Sequence, residues 1–384
     1  MNDATSLMLL DRLIGFPTVS SASNLPLIGW VEDYLRGLGF SCFKISDQTA
    51  EKAGIFASVG PKGPGGVLLS GHSDVVPADG QNWTRKPFSL TQDGGRLYGR
   101  GTTDMKGFLA SALAAATLAA RRPLREPFKL AVSFDEELGC LGIRQMVGQL
   151  ATTIGLPRLC IVGEPTGLSV ATGHKGKVAL TARFTGVTGH SAMAPDYLNA
   201  LHLAADFVQA LRAEQDWLAA DGAQDPDYDI PWSTLHIGKL AGGRALNIVP
   251  DQAEAEFELR HLAADRPEEI LARLRARCAA IVGPLRSRFP AAAITLEQVN
   301  AYPGLDTAPS DSAVAEVMAL AGGAATTKVG YGTEAGFFAG LGIPTVVCGP
   351  GSMDQGHKPD EFIEASQLAA CDAMLARLVQ SLAS

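Results

Sequence analysis

The chain of 384 residues contains no Cys-x-x-Cys pair; its six cysteines, at positions 42, 140, 160, 278, 348 and 371, stand apart. A short-spaced disulfide framework is thereby excluded, and the expectation is reduced, mostly core cysteines in a cytosolic protein. Basic charge is scarce as well. The net charge of −8 and a pI near 5.4 lack the electrostatic footprint of a nucleic-acid binder. No apolar run approaches membrane-spanning length, and Met1-Asn-Asp-Ala-Thr-Ser carries no basic n-region, so a cytoplasmic location is expected. The Gly-Lys-[Ser/Thr] ending of a P-loop does not follow Gly99-Arg-Gly-Thr-Thr, which is also a poor Rossmann fingerprint. A nucleotide-binding protein is set aside.

What remains is a well-buried globular composition, 46% hydrophobic and 19% charged. The length points to two domains. Residues 1–70 read as scaffold: a helix over Ser6–Ile14 ended by Pro17, a second over Asn24–Leu38 closed by Gly39, and a strand over Gly54–Val59. The centre of the chain is Tyr98-Gly-Arg-Gly-Thr-Thr-Asp104-Met-Lys-Gly107, a glycine-punctuated turn that sets Asp104 at the start of an alanine-rich helix expected over Met105–Ala120. A lone Asp there would be read as an N-cap.

Its company argues otherwise. An apolar strand-like run delivers His72 and, two residues on, Asp74, which together can supply a ligand imidazole and the group that orients it. Lys129–Phe134 runs into Asp135-Glu136-Glu137, and like charges clustered directly after a buried strand need a reason. A divalent metal supplies one: either glutamate could ligate it while its neighbour serves as general base. Arg158–Gly163 leads to Glu164 and Ile343–Cys348 to His357. In an open α/β sheet the carboxyl ends of the strands line the ligand crevice. Two histidines and several carboxylates meeting there suit zinc or a similar metal. A carboxylate shared between two ions roughly 3.5–4 Å apart would account for their number.

Five segments, Gly-His72-Ser-Asp74-Val-Val-Pro, Gly-Arg-Gly-Thr-Thr-Asp104-Met-Lys-Gly, Asp-Glu136-Glu137-Leu-Gly, Gly-Glu164-Pro-Thr and Gly-His357-Lys-Pro-Asp-Glu, resemble in order the dinuclear zinc aminoacylase/carboxypeptidase family. The resemblance implies a metal-dependent amide hydrolase with two divalent ions, zinc or cobalt. It implies that His72, Asp104 and Glu164 bind one ion and Asp104, Glu137 and His357 the other. Asp104 would be the bridge, Glu136 the general base and Asp74 the partner of His72.

Between Glu164 and His357 the expected order is strand 177–185, helix 198–218, strands 233–239 and 253–260, helix 267–281 and strand 292–298, the β-α-β-β-α-β of a ferredoxin-like unit. The expected fold is therefore α/β: a mixed-sheet metallohydrolase domain (1–176 and 300–384) with an inserted ferredoxin-like α+β lid/dimerisation domain (177–299). A homodimer through the lid is implied by the resemblance. In the lid, His190 resembles the family's histidine that polarises the substrate carbonyl, often from the other subunit, and Asn247 its substrate-contacting asparagine. Arg260 suits bidentate capture of a substrate α-carboxylate. His174, His202, His236 and His261 carry no motif. Around Asn247, Glu334 and His357 the resemblance is to the branch that hydrolyses N2-acetyl-L-ornithine, with Glu334 as partner for the cationic side chain. The alternatives are other N-acyl amino acids, such as N-succinyl-diaminopimelate, and a metal-binding scaffold without turnover.

Overall fold

The structure is a computed structural model that describes residues 5–323 and 325–384. The chain divides into two compact units. One holds the residues up to Gly173 with Leu305–Lys328 and Thr333–Ser384; the other holds His174–Gly304 with Val329–Gly332.

The first unit is built on a mixed sheet. Its centre is four mutually parallel strands in the order Phe128–Ser133, Val67–His72, Leu159–Pro165, Thr345–Gly349. Ala53–Val59 and then Ser41–Ser46 extend it antiparallel beyond Phe128–Ser133. Every residue of the four central strands is buried, as strands covered on both faces must be, and their Val, Leu, Ile and Phe content follows from that. The helix Gly107–Ala119 packs against Ser6–Ile14 and Ala365–Ala383. It is buried nearly all round, which is why its sequence shows alanine rather than an amphipathic stripe. Close approach is also needed where this helix meets the sheet. A Cβ on Gly163 would stand 2.0 Å from ring carbons of Phe108, so only glycine fits there.

The second unit runs strand Gly176–Thr185, helix Ala200–Asp221, strands Thr234–Gly242 and Gln252–His261, helix Pro267–Val282, strand Ala293–Tyr302. Numbered along the chain its strands lie in the order 2-3-1-4, all neighbours antiparallel, which is the ferredoxin-like arrangement. Period-two patterning explains it: Ala253, Ala255, Phe257 and Leu259 are buried, while Glu254, Glu256 and Glu258 point the other way. Phe207 of the first helix sits 5.4 Å from Phe184 and 5.3 Å from Phe257 between ring centroids. Glu214, completely buried, clips the two helices together through Arg273 at 2.6 Å and Arg277 at 3.1 Å. Among the described residues no helix is long and apolar enough to cross a membrane.

Candidate metal centre

The strand order brings the singled-out residues to one edge of the first unit's sheet. His72 ends Val67–His72, and Glu164 lies at the end of Leu159–Pro165. Glu136 and Glu137 follow Phe128–Ser133, and His357 follows Thr345–Gly349. These four strands are consecutive neighbours, so residues far apart in the chain meet at their carboxyl ends.

Asp104 does not open a helix as its sequence suggested. The helix begins at Gly107, and Asp104 has an extended backbone (φ −122, ψ 91), followed by a cis peptide bond. The reason is distant: Glu361 accepts hydrogen bonds from the N–H groups of Gly101 (3.0 Å), Thr103 (2.9 Å) and Asp104 (3.2 Å). Those bonds hold the turn, and the Lys106 N–H, a donor that a helix-capping Asp104 would take, goes instead to the Gly101 carbonyl at 2.7 Å, which leaves the Asp104 side chain uncommitted. It turns to the histidines, Oδ1 at 3.0 Å from Nε2 of His72 and Oδ2 at 3.1 Å from Nε2 of His357. Each imidazole also meets a second carboxylate, His72 facing Glu164 at 3.7 Å and His357 facing Glu137 at 3.1 Å.

Burial and charge pull these groups in opposite directions. Burial opposes a charge on His72, but hydrogen bonds to Asp104 and Asp74 outweigh it and raise its pKa well above the usual imidazole value. Hydrogen bonds to Asp104 and Glu137 push His357 up to about 10. Asp104 is held below the carboxylate range because the two imidazoles overcome its burial. Glu136, Glu137 and Glu164 go the other way, raised by burial and by neighbouring carboxylates. Among the described residues, the ion pairs of these acids are all to the two imidazoles.

Such a cluster fits divalent cations. The donor set is imidazole nitrogen and carboxylate oxygen, the excess is acidic, and a cation would reverse the upward shifts. Donor atoms of His72, Glu136 and Glu164 lie within 4.8 Å of one another, as do those of His72, Asp104 and Glu137.

Around His72 and Asp74 stand supporting residues that were not singled out from the sequence: Ser20, Cys140, Arg100 and Glu361. His72 Nδ1 lies 2.9 Å from the backbone oxygen of Asp74, while the Asp74 carboxylate stands farther off at 3.6 Å. That carboxylate accepts from Ser20 Oγ (2.7 Å) and from the N–H groups of Glu136 (3.1 Å) and Glu137 (3.3 Å), anchoring the acidic loop. The thiol of Cys140 donates to Glu136 Oε1 at 3.3 Å. Glu361 is itself paired with the buried Arg100. The only local signal for Glu361 was its place at the end of the His357 segment.

Glu334 is buried ahead of the helix Ala335–Ala339, accepting from Ser70 Oγ at 3.2 Å, and burial raises its pKa to about 7. In the second unit the exposed His190 pairs with Ile248 across two short strands, and the N–H of Ser191 donates to the carbonyl of Asn247 at 3.0 Å. His190 and Asn247 are therefore neighbours there. Arg260 donates from Nε to Glu258 at 2.9 Å and from Nη1 to the Tyr302 hydroxyl at 2.8 Å.

Residues 68–381 match the family model described as Peptidase family M20/M25/M40. Acetylornithine deacetylase of Proteus mirabilis is 33% identical, covering 98% of this chain and 96% of its own length. That of Shigella sonnei is 35% identical over 92% and 91%. Among solved structures, aminopeptidase PepT of Bacillus cereus superposes with a TM-score of 0.79 at 19% identity over the whole of both chains. An M20 family metallo-carboxypeptidase of Sulfolobus solfataricus gives 0.77 at 18%, over 98% and 99%. The chain belongs to peptidase family M20/M25/M40, a family of metal-dependent hydrolases.

Proposed function

We propose that the protein hydrolyses N2-acetyl-L-ornithine to L-ornithine and acetate, as a step of arginine biosynthesis, at a site for two divalent ions, zinc or cobalt. One observation carries the dinuclear reading: the Asp104 carboxylate is divided between His72 and His357, and each imidazole has a further carboxylate beside it. His72, Asp104 and Glu164 would hold one ion, and Asp104, Glu137 and His357 the other. When bound, the ions acidify a water and polarise the amide carbonyl. Glu136 takes the proton from that water as it attacks the carbonyl carbon. The same carboxyl then gives the proton to the nitrogen as the C–N bond breaks, releasing the amine. The Asp74 carboxylate keeps the base in place by holding the Glu136 N–H.

The substrate assignment is supported by the two relatives named acetylornithine deacetylase. In this reading His190 donates to the carbonyl oxygen as negative charge develops, with Asn247 contacting substrate beside it. Arg260 takes the α-carboxylate, and Glu334 balances the side-chain ammonium. The second unit is the lid and the surface of a homodimer, and the protein works in the cytoplasm, where six buried free cysteines stay reduced.

The test is acetate release by metal-free protein and by protein reloaded with zinc or cobalt. N2-acetyl-L-ornithine and N-acetyl-methionine are compared, with succinate release from N-succinyl-diaminopimelate followed in parallel. Metal-dependent turnover favouring acetylornithine is expected. Turnover of another member of the set keeps the chemistry and overturns the substrate. Failure on all of them overturns the substrate and points first to another amide, with a metal-binding scaffold without turnover, against which the intact Glu136 speaks, behind it.

A further inference from the structure

His357 holds a backbone conformation that residues with a Cβ rarely adopt, φ +61. A proposed ligand in such a position needs something to keep it there, and its own loop has no regular structure across 350–361. The restraint comes from the loop after His72. Gln81 Nε2 donates to the backbone carbonyl of His357 at 2.9 Å. The Gln81 carbonyl oxygen is itself fixed, accepting from Trp83 Nε1 at 3.0 Å and from Arg100 Nη2. Farther along, Arg100 Nη1 donates to the Lys358 carbonyl at 3.3 Å, and Asp360 accepts from the N–H and hydroxyl of Thr84.

We infer that Gln81 is a positioning residue for one half of the metal centre, holding His357 in the conformation that presents its imidazole to Asp104 and Glu137. The inference rests on the dinuclear reading above. Gln81 touches no donor atom of the half assigned to His72, Asp104 and Glu164, so its loss should be felt at one ion and not the other. Partners that orient metal ligands typically contribute roughly 10–100-fold in affinity.

The experiment is a cobalt(II) titration of metal-free protein, with bound equivalents measured by equilibrium dialysis and the visible band followed alongside. Gln81→Glu is the informative variant. It keeps the length of the side chain and an oxygen for Trp83 and Arg100, but loses the N–H that reaches His357. Its added negative charge would by itself favour a cation, so weaker binding cannot come from charge. The expected result is two equivalents in the unaltered protein. In Gln81→Glu and Gln81→Leu the first should be unchanged and the second roughly 10–100-fold weaker. Asn82→Ala, an exposed neighbour on the same loop, should bind both equivalents normally. Two equally tight equivalents in Gln81→Glu overturn the inference, as does equal weakening of both. Fewer than two equivalents in the unaltered protein would overturn the dinuclear reading and this inference with it.

Discussion

Arg100 Nη1 and Glu361 Oε2 meet at 2.7 Å with each side chain only 1% exposed. Neither belongs to the proposed ligand set, yet Glu361 gathers the N–H groups that shape the turn presenting Asp104. Arg100 also stacks on Trp83, its guanidinium carbon 4.9 Å from the ring centroid. The pair is thus a buried hinge-pin for the loop carrying the shared carboxylate.

Removing one partner leaves the other charge buried and uncompensated. Arg100→Met should therefore cost about 3–5 kcal/mol of stability. Arg100→Met with Glu361→Gln should recover part of that loss, since no lone charge is then buried and the amide oxygen still accepts from the N–H groups of the turn. Denaturant unfolding of both variants decides the matter; a double variant no more stable than the single would count against the argument.

The contact between Gly163 and Phe108 predicts an overpacking defect. Gly163→Ala places a methyl against the ring and should destabilise by about 1–3 kcal/mol. Phe108→Leu in the same chain should relieve the crowding. A Gly163→Ala protein that melts like the unaltered one would show that the helix can shift without cost.

Glu136 and Asp104 should separate by what they lose. Glu136→Gln should lower kcat by about 10²–10⁴-fold while metal content, read by elemental analysis, stays the same. Asp104→Asn should lose metal together with activity, because both imidazoles lean on that carboxylate. Normal turnover in Glu136→Gln would place the base elsewhere.

His174 supplies a pH dependence away from the proposed ligands. Burial lowers its pKa from 6.5 to about 4; Nδ1 lies 3.0 Å from the Lys175 carbonyl and Nε2 is buried without a partner. Between pH 4 and 6.5 the unfolded chain therefore binds more protons at this residue than the folded one. Stability rises with pH across that window and is lost on acidification, by about 3 kcal/mol once both forms are protonated. His174→Gln carries no such titration. Melting temperatures at pH 4 and pH 7 should differ less in the variant, and an unchanged difference would refute the assignment.

The sequence by itself determined where the ligand candidates stand relative to strands. A buried strand is a local apolar run, and a His or Glu at its end is visible without knowing its neighbours, as with His72, Glu164 and the Glu136-Glu137 pair. The alternation around Phe257 likewise made the second unit legible, because a period of two specifies one face. The Asp104 turn was misread for a matching reason: Asp before an alanine-rich run looks like a helix start, and Glu361, the acceptor for the N–H groups of Gly101, Thr103 and Asp104 that holds the turn, lies more than 250 residues away. Nothing local distinguishes Glu361 from the neighbouring surface acid Asp360, or marks Gln81 as the donor to His357. Nor does any local pattern mark Glu214 as the buried clip between two helices. Those roles arise from burial and from hydrogen-bond partners distant in the chain, and only the tertiary structure decided them.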